Sequence, residues 1–282
     1  MNRAFELDLS AYLRRIQCTA SLEPDVDSLN HIVSSHVAQI PFENLDILMG
    51  RSISVDPADV ERKLGHGARG GYCFEQNTLL YHALRSIGFS VTPISGRVMF
   101  RKPLHPLPSR THLFLRVELN GDSWIVDVGV GGLSPTSSIK LVLNEVQSTQ
   151  HESRRIVSGG QWSGLHSRSP DGVLYHQALI GDVWENIAQF TLEEMHPIDV
   201  ELANWYTSTH PGSHFKDRLT VARSFEGGRK TVLNREYTLR IMGGDVTTRR
   251  LDTDEELLHV LAVEFGIDLP AGTQFNCPGL FE

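Results

Sequence analysis

The sequence predicts an α+β protein with its helices at the front of the chain and its strands behind them. Apolar residues recur at helical spacing through the first ninety positions. Short alternating runs broken by Gly, Pro, Ser and Asn take over from Val91 to about Phe190, as suits an antiparallel sheet or small barrel. The last third mixes strand candidates with one clear amphipathic helix. At 282 residues, against a common domain size of roughly 150, the chain has room for two or three units. The expected division is 1–88, 89–190 and 191–282, with no internal repeat.

In the first part, Asp8 or Ser10 can cap a helix carrying Tyr12, Leu13 and Ile16, and Asp27 can cap a second through Leu29, Ile32, Val33 and Val37. Asp56-Pro57 is a sharper start signal: a capping carboxylate, proline at the first helical position, then Val60 and Leu64 one turn apart, with Gly65 as the expected end. A further helix is expected from Cys73 to Ile87, closed by Gly88. In the second part, Thr111 to Leu119 alternates, Asn120-Gly121 is a strong hairpin signal, and Trp124 to Gly129 returns as the second strand. Asn144 to Pro170 reads as hairpin turns or a mobile loop. After a partly helical Thr191 to Tyr206, strands are expected around Leu219–Phe225, Lys230–Leu233 and Tyr237–Met242. A last helix starts near Asp252 or Thr253 and ends at Gly266.

Composition narrows the function. The longest apolar runs span about four residues, too short for a membrane helix, and the N-terminus has no secretion-type apolar stretch, so a cytoplasmic location is expected. Twenty-six basic against thirty-four acidic residues, a formal charge of -8, exclude a broad basic surface for nucleic acid. Cys18, Cys73 and Cys277 are odd in number and far apart, which fits neither a disulfide framework nor a C-x-x-C metal site. Each is read as a single thiol, two of the three as small buried hydrophobes.

Arg69-Gly70-Gly71-Tyr72-Cys73-Phe74-Glu75-Gln76-Asn77 is the most informative stretch. Two glycines allow a tight turn into a helix whose apolar stripe is Leu80, Leu84 and Ile87, with Cys73 on the same face at the helix start. The unpaired N–H groups there favour a thiolate. By itself the cysteine reads as readily as a packed residue as it does a nucleophile. A thiolate nucleophile needs a base and a group to orient that base. With Asn120-Gly121 as a two-residue turn, Leu119 pairs with Asp122, Val117 with Trp124 and Leu115 with Val126, which makes one face an apolar ladder. His112 and Asp127 then become diagonal neighbours on the other face, roughly 7 Å apart at the backbone. An aspartate between Val126 and Val128 is costly to bury unless paired. Cys73, His112 and Asp127 are therefore the candidate catalytic set. Gly227-Gly228-Arg229-Lys230-Thr231 and Gly129-Val130-Gly131-Gly132 lack the rest of any nucleotide-binding fingerprint and read as turns.

These residues resemble the arylamine N-acetyltransferases. The likeness is carried by Ile40-Pro41-Phe42-Glu43-Asn44-Leu45-Asp46, the block around Cys73, Arg110-Thr111-His112, Val126-Asp127-Val128-Gly129 with Gly131-Gly132, and Asn204-Trp205-Tyr206-Thr207-Ser208-Thr209-His210-Pro211. The resemblance implies a three-part, cysteine-protease-like fold: an N-terminal helical bundle, a central antiparallel β-barrel and a C-terminal α/β lid. It implies ping-pong transfer of acetyl from acetyl-CoA, a cosubstrate rather than a bound cofactor, through a thioester on Cys73 to an aromatic amine, hydrazine or hydroxylamine. His112 would be the base and Asp127 its orienter, with no metal. Pro108, Ser109, Thr111 and Tyr206 match positions near CoA, the loop offering backbone N–H groups to phosphate oxygens. Phe42 matches an acceptor-pocket position, though a core role suits it nearly as well. Glu43 and Asn44 look structural, and Arg69 and Glu75 are expected to pair around the turn before Cys73. Most relatives have phenylalanine where this chain has Val130, which widens one wall of the expected acceptor pocket. The alternatives are a CoA-independent amide synthase with the same triad and a non-catalytic small-molecule binding module. A homo-oligomer is compatible with the sequence.

Overall fold

Why the helices stand where they do is settled mostly by their caps. In the computed structural model, which describes residues 5–19, 22–102, 106–159 and 172–280, helix α1 (Leu9–Arg15) starts at Asp8, whose carboxylate accepts the Ala11 N–H. Helix α2 (Val26–Gln39) is capped by Asp25 rather than Asp27, which lies inside its first turn. Both are aspartates, but only Asp25 has extended backbone and a carboxylate on the Ser28 N–H. After the short α3 (Leu45–Leu48), Asp56 and Pro57 open α4 (Pro57–Val60) as expected. The helix does not stop at Gly65: it widens into a π-helical stretch, Glu61–His66, and ends at Gly67. Helix α5 runs Cys73–Ile87, and Gly88 closes it at φ 109°.

Seven strands make a nearly closed antiparallel barrel: β2 (Ser90–Val98), β3 (His112–Leu119), β4 (Asp122–Val126), β5 (Ile139–Lys140), β6 (Arg154–Ser158), β7 (Leu174–Ile180) and β8 (Val183–Glu194), in the order β5-β4-β3-β2-β8-β7-β6. Bridges from Leu143 to Ile156 and from Gln147 to Arg154 link its two edges. β6 lies inside the stretch read as turns or a mobile loop; residues 160–170 of that stretch are outside the described residues. β8 also takes Thr191–Glu194, so helix α6 (Pro197–Thr209) starts later than the sequence suggests.

A second sheet contains β9 (Thr220–Phe225), β10 (Gly228–Leu233), β11 (Glu236–Ile241) and β12 (Val246–Arg250), the last unforeseen because its polar surface hides the strand pattern. Its inner edge is β1 (Phe42–Glu43), a strand from the N-terminal third paired with Ala222 and Val221. Helix α7 (Asp254–Phe265), capped by Thr253, packs Leu257, Val260, Leu261 and Phe265 into the core of this sheet.

The β3–β4 hairpin positions the site. Its register is Leu119 to Asp122, Val117 to Trp124 and Leu115 to Val126, and Asn120 and Gly121 both take positive φ, as a two-residue turn requires. The apolar ladder packs on the helical bundle with Leu29, Ile32, Leu80 and Leu84. The opposite face turns Phe114 and Ile125 into the barrel interior beside Phe190.

Candidate active site

Cys73 is the first residue of α5 and is buried. The turn before it cannot carry side chains: a Cβ on Gly70 would collide with the Pro41 carbonyl, and one on Gly71 would lie 2.7 Å from Glu75 Oε2. Gly71 instead pairs edge to edge with Phe42, and its carbonyl accepts the Glu43 N–H at 3.0 Å. Glu75 Oε2 in turn accepts the Tyr72 N–H at 3.1 Å, which fixes the helix start.

Arg69 and Glu75 do not pair with each other. Arg69 bonds Glu43 and Asp46 at 2.7 and 3.1 Å, and Lys63 holds both Asp46 and Glu75 at 2.7 Å. Burial pushes Glu75 up to about 7 in spite of Lys63. Asn44, expected to be structural, donates to the Phe215 and Arg218 carbonyls and accepts the Thr220 N–H, so it ties β1 to the start of β9.

His112 Nε2 and Asp127 Oδ2 stand 2.6 Å apart, both side chains buried. With Nε2 committed, the ring nitrogen left for the sulfur of Cys73 is Nδ1. Burial alone would lower the pKa of His112. The Asp127 carboxylate, and then the hydrogen bond and charge of Cys73, push it up to about 10. Burial would raise Asp127; His112 beside it, with hydrogen bonds from the Gly129 N–H and Asn77, holds it below the usual carboxylate range.

Asn77 went unread as a site residue. One turn beyond Cys73, it donates to Asp127 Oδ1 at 3.2 Å and to the Leu113 carbonyl at 2.8 Å, and accepts the Val128 N–H at 3.2 Å. It therefore locks the helix carrying the thiol to both strands carrying its partners. The i, i+4 spacing from Cys73 was the available signal. Gly129 is required by this contact, since a Cβ there would lie 2.6 Å from Cys73 Cα.

Cys73 and His112 open onto a cleft of about 440 Å³, with Asp127 behind the imidazole. Phe42 and Val130 line it, as do Pro108, Ser109, Thr111 and Tyr206. One detail differs. The Thr111 N–H already donates to the Ser109 carbonyl at 3.0 Å and Pro108 has no N–H, so neither can offer a backbone donor to a phosphate. Lys102 stands in the same lining.

The wall that includes Val130 is held by a buried charge cluster the sequence did not reveal. Arg154 Nη2 donates to the Leu133 carbonyl at 2.8 Å and to Glu152 at 3.1 Å, while Arg229 on β10 pairs with the same glutamate and reaches the Ser134 carbonyl at 3.3 Å. Ser134 Oγ accepts the Val130 N–H at 3.1 Å. Burial lowers Arg154 to about 10.

The family profile described as N-acetyltransferase matches residues 25–274. An arylamine N-acetyltransferase of Mycolicibacterium smegmatis is 38% identical over 267 residues, 93% of each chain. Among solved structures, the arylamine N-acetyltransferase of M. tuberculosis superposes with a TM-score of 0.87 at 34% identity, covering 98% of each chain. That of Mycobacterium marinum in complex with CoA gives 0.84 at 33%, covering 92% of this chain and 93% of the other. Identity well above a quarter is sustained along nearly the whole length, and the same fold lies beneath it. The chain belongs to the arylamine N-acetyltransferase family.

Proposed function

We propose that this protein moves an acetyl group from acetyl-CoA to the nitrogen of an aromatic amine, hydrazine or hydroxylamine in two half-reactions on Cys73. The observation that carries the reading is the alignment of Asp127, His112 and Cys73 at the wall of one cleft. In the first half-reaction the Cys73 thiolate attacks the acetyl carbonyl, the tetrahedral oxygen is met by the Cys73 N–H at the helix start, and CoA leaves as a thiol with the proton of His112. In the second, the acceptor nitrogen attacks the thioester and the now neutral His112 takes its proton. Collapse releases the N-acetyl product and restores the ion pair. Asp127 holds the ring in one orientation throughout.

In this reading residues 1–88 supply the thiol, 89–190 the base and its orienter, and 191–282 the cover, with Phe42 and Glu43 crossing into the third part. Phe42 and Val130 form the acceptor side of the cleft. Pro108, Ser109, Thr111 and Tyr206 flank the CoA arm, and Lys102 meets its phosphates as a point charge. The cosubstrate pool implies a cytoplasmic location; among the described residues no helix is long and apolar enough to cross a membrane.

Intact-mass measurement after incubation with acetyl-CoA tests the proposal. One acetyl group is expected, mapped to Cys73 and lost in Cys73→Ser, and an aromatic amine should remove it as the N-acetyl product. No labelling by acetyl-CoA, but labelling by a bulky acyl thioester, would replace this reading with the amide synthase. Labelling by neither would leave only a binding module.

A further inference from the structure

A second cavity, of about 560 Å³, lies further along α5 from Cys73, beyond the hydrogen bond between Asn77 and the Leu113 carbonyl. The two cavities share none of their described lining residues. The floor of the second is apolar, with Leu113 and Leu115 from β3, Ile53 from the loop before α4, and Met195 and Val200 at the start of α6. The volume falls within the range of roughly 300–1,000 Å³ typical of small-molecule sites.

The two cavities carry opposite charge. The cleft at Cys73 has Lys102 in its lining and, among the described lining residues, no carboxylate. The second cavity has Asp56, Glu194 and Glu201 at its rim and, among its described lining residues, no lysine or arginine. His82 is the imidazole in that wall, and burial, followed by the nearby Arg85 charge, lowers its pKa, so it adds no positive charge near pH 7. Tyr81 adds an aromatic ring to the wall, with the Arg85 guanidinium already over it, 5.6 Å from its centroid. Arg85 donates to its hydroxyl at 2.8 Å without joining the lining. Glu194 has His196 as a neighbour at 4.0 Å, too long for a strong bond, and its side chain stays more than half exposed. An apolar floor under a rim of carboxylates suits a ligand with a hydrocarbon body and a cationic head.

We infer that this second cavity is a binding site for a small amphipathic cation, an arylalkyl ammonium whose hydrocarbon part covers Leu115, Met195 and Val200 and whose charged nitrogen sits among Asp56, Glu194 and Glu201. Such a ligand is distinct from an acetyl acceptor, because a protonated or quaternary nitrogen has no lone pair to attack a thioester. The floor residue Leu113 and the wall residue Asn77 both belong to the hydrogen-bond network on Asp127, so an occupant of this cavity touches the back of the catalytic scaffold.

Benzyltrimethylammonium is the probe, since it carries the required features and cannot be acetylated; its failure to bind is therefore independent of whether acetyl transfer occurs. Calorimetric titration of the full chain should give saturable one-to-one binding in the millimolar range or tighter. Phenylacetate, similar in body and opposite in charge, should not bind. Glu201→Gln and Glu194→Gln, both at exposed positions, should each weaken the cation by about threefold. Val200→Trp, which fills the floor, should abolish binding while acetyl labelling of Cys73 continues. Absence of saturation by the cation, equal binding of phenylacetate, or binding unchanged by both glutamate substitutions would overturn the inference. Should Val200→Trp fail to fold, the two glutamate variants decide it.

Discussion

A histidine buried as deeply as His112 would ordinarily shed its proton, because burial penalises the imidazolium; Asp127 at 2.6 Å reverses that. Its folded-state pKa of about 10 lies above the ordinary 6.5, so the stability this pair contributes is complete below about pH 6.5 and is lost as pH rises through about 10. Asp127 acts in the opposite sense: its pKa is held below 3.8, so its contribution is present above that pH and is lost as pH falls through the lowered value. Chemical denaturation across pH 5 to 11 should show the alkaline fall in the wild type. In Asp127→Asn the fall should be absent, since the buried ring is then neutral. The same substitution should slow alkylation of Cys73 at pH 7 by at least about tenfold, because the imidazolium beside the sulfur is gone. An unchanged rate would remove Asp127 from the ion pair. Gly129→Ala tests the same assembly by shape. Its methyl would press on Cys73 and the Asn77 amide, and an ångström of displacement there should cost on the order of a hundredfold in acetyl transfer while the circular dichroism spectrum stays the same.

Elements whose signals are local were legible in the sequence. The α5 boundaries follow from two glycines before Cys73 and one after Ile87, and the β3–β4 register follows from a two-residue turn that Asn-Gly favours, so the diagonal placement of His112 and Asp127 could be worked out before any coordinates. What escaped depends on partners far away in the chain. Asp25 and Asp27 look alike as caps until the backbone angles are known. Arg69 and Glu75 carry opposite charges near one turn, yet each finds another partner, because Glu43, Asp46 and Lys63 fold in between. The Glu152, Arg154 and Arg229 cluster joins β10 to the barrel over a separation of 77 residues, which no spacing rule reaches. Its consequence is testable at the scale of the loop it grips. Glu152→Gln leaves two arginines buried without their counter-charge and should destabilise the fold by about 3–5 kcal/mol in denaturant titration. It should also free the Val130–Ser134 wall and raise the KM for the aromatic acceptor more than it lowers kcat. Equal effects on both would show that the cluster supports the fold without shaping the cleft.

At the scale of the whole molecule, the site has no single owner. Phe42, Tyr72 and Phe74 from the first ninety residues, Leu113 from the barrel, and Met195 and Ala222 from the last third form one apolar cluster that includes Cys73. The seam is polar as well as apolar: Asn44 bonds three backbone groups between Phe215 and Thr220, and Tyr72 bonds Asn204 through its hydroxyl. β1 completes a sheet whose other strands all follow residue 219, and Leu45 and Leu48 from α3 are buried in that sheet's core. A chain cut after residue 190 would keep Cys73, His112 and Asp127, yet would expose Leu45 and Leu48 and leave the Asn44 amide without its partners. Burying side chains of this size is worth about 1.5–3 kcal/mol each, so the two leucines alone lose about 3–6 kcal/mol, which reaches the lower end of a typical domain's stability of about 5–15 kcal/mol. The 1–190 fragment should therefore bind a hydrophobic dye and fail to take an acetyl group at Cys73, while the full chain unfolds in one transition by both fluorescence and circular dichroism. Labelling of the fragment at a rate near that of the full chain would mean that the catalytic parts fold without the C-terminal sheet. The seam at β1 would then serve only to cover the cleft.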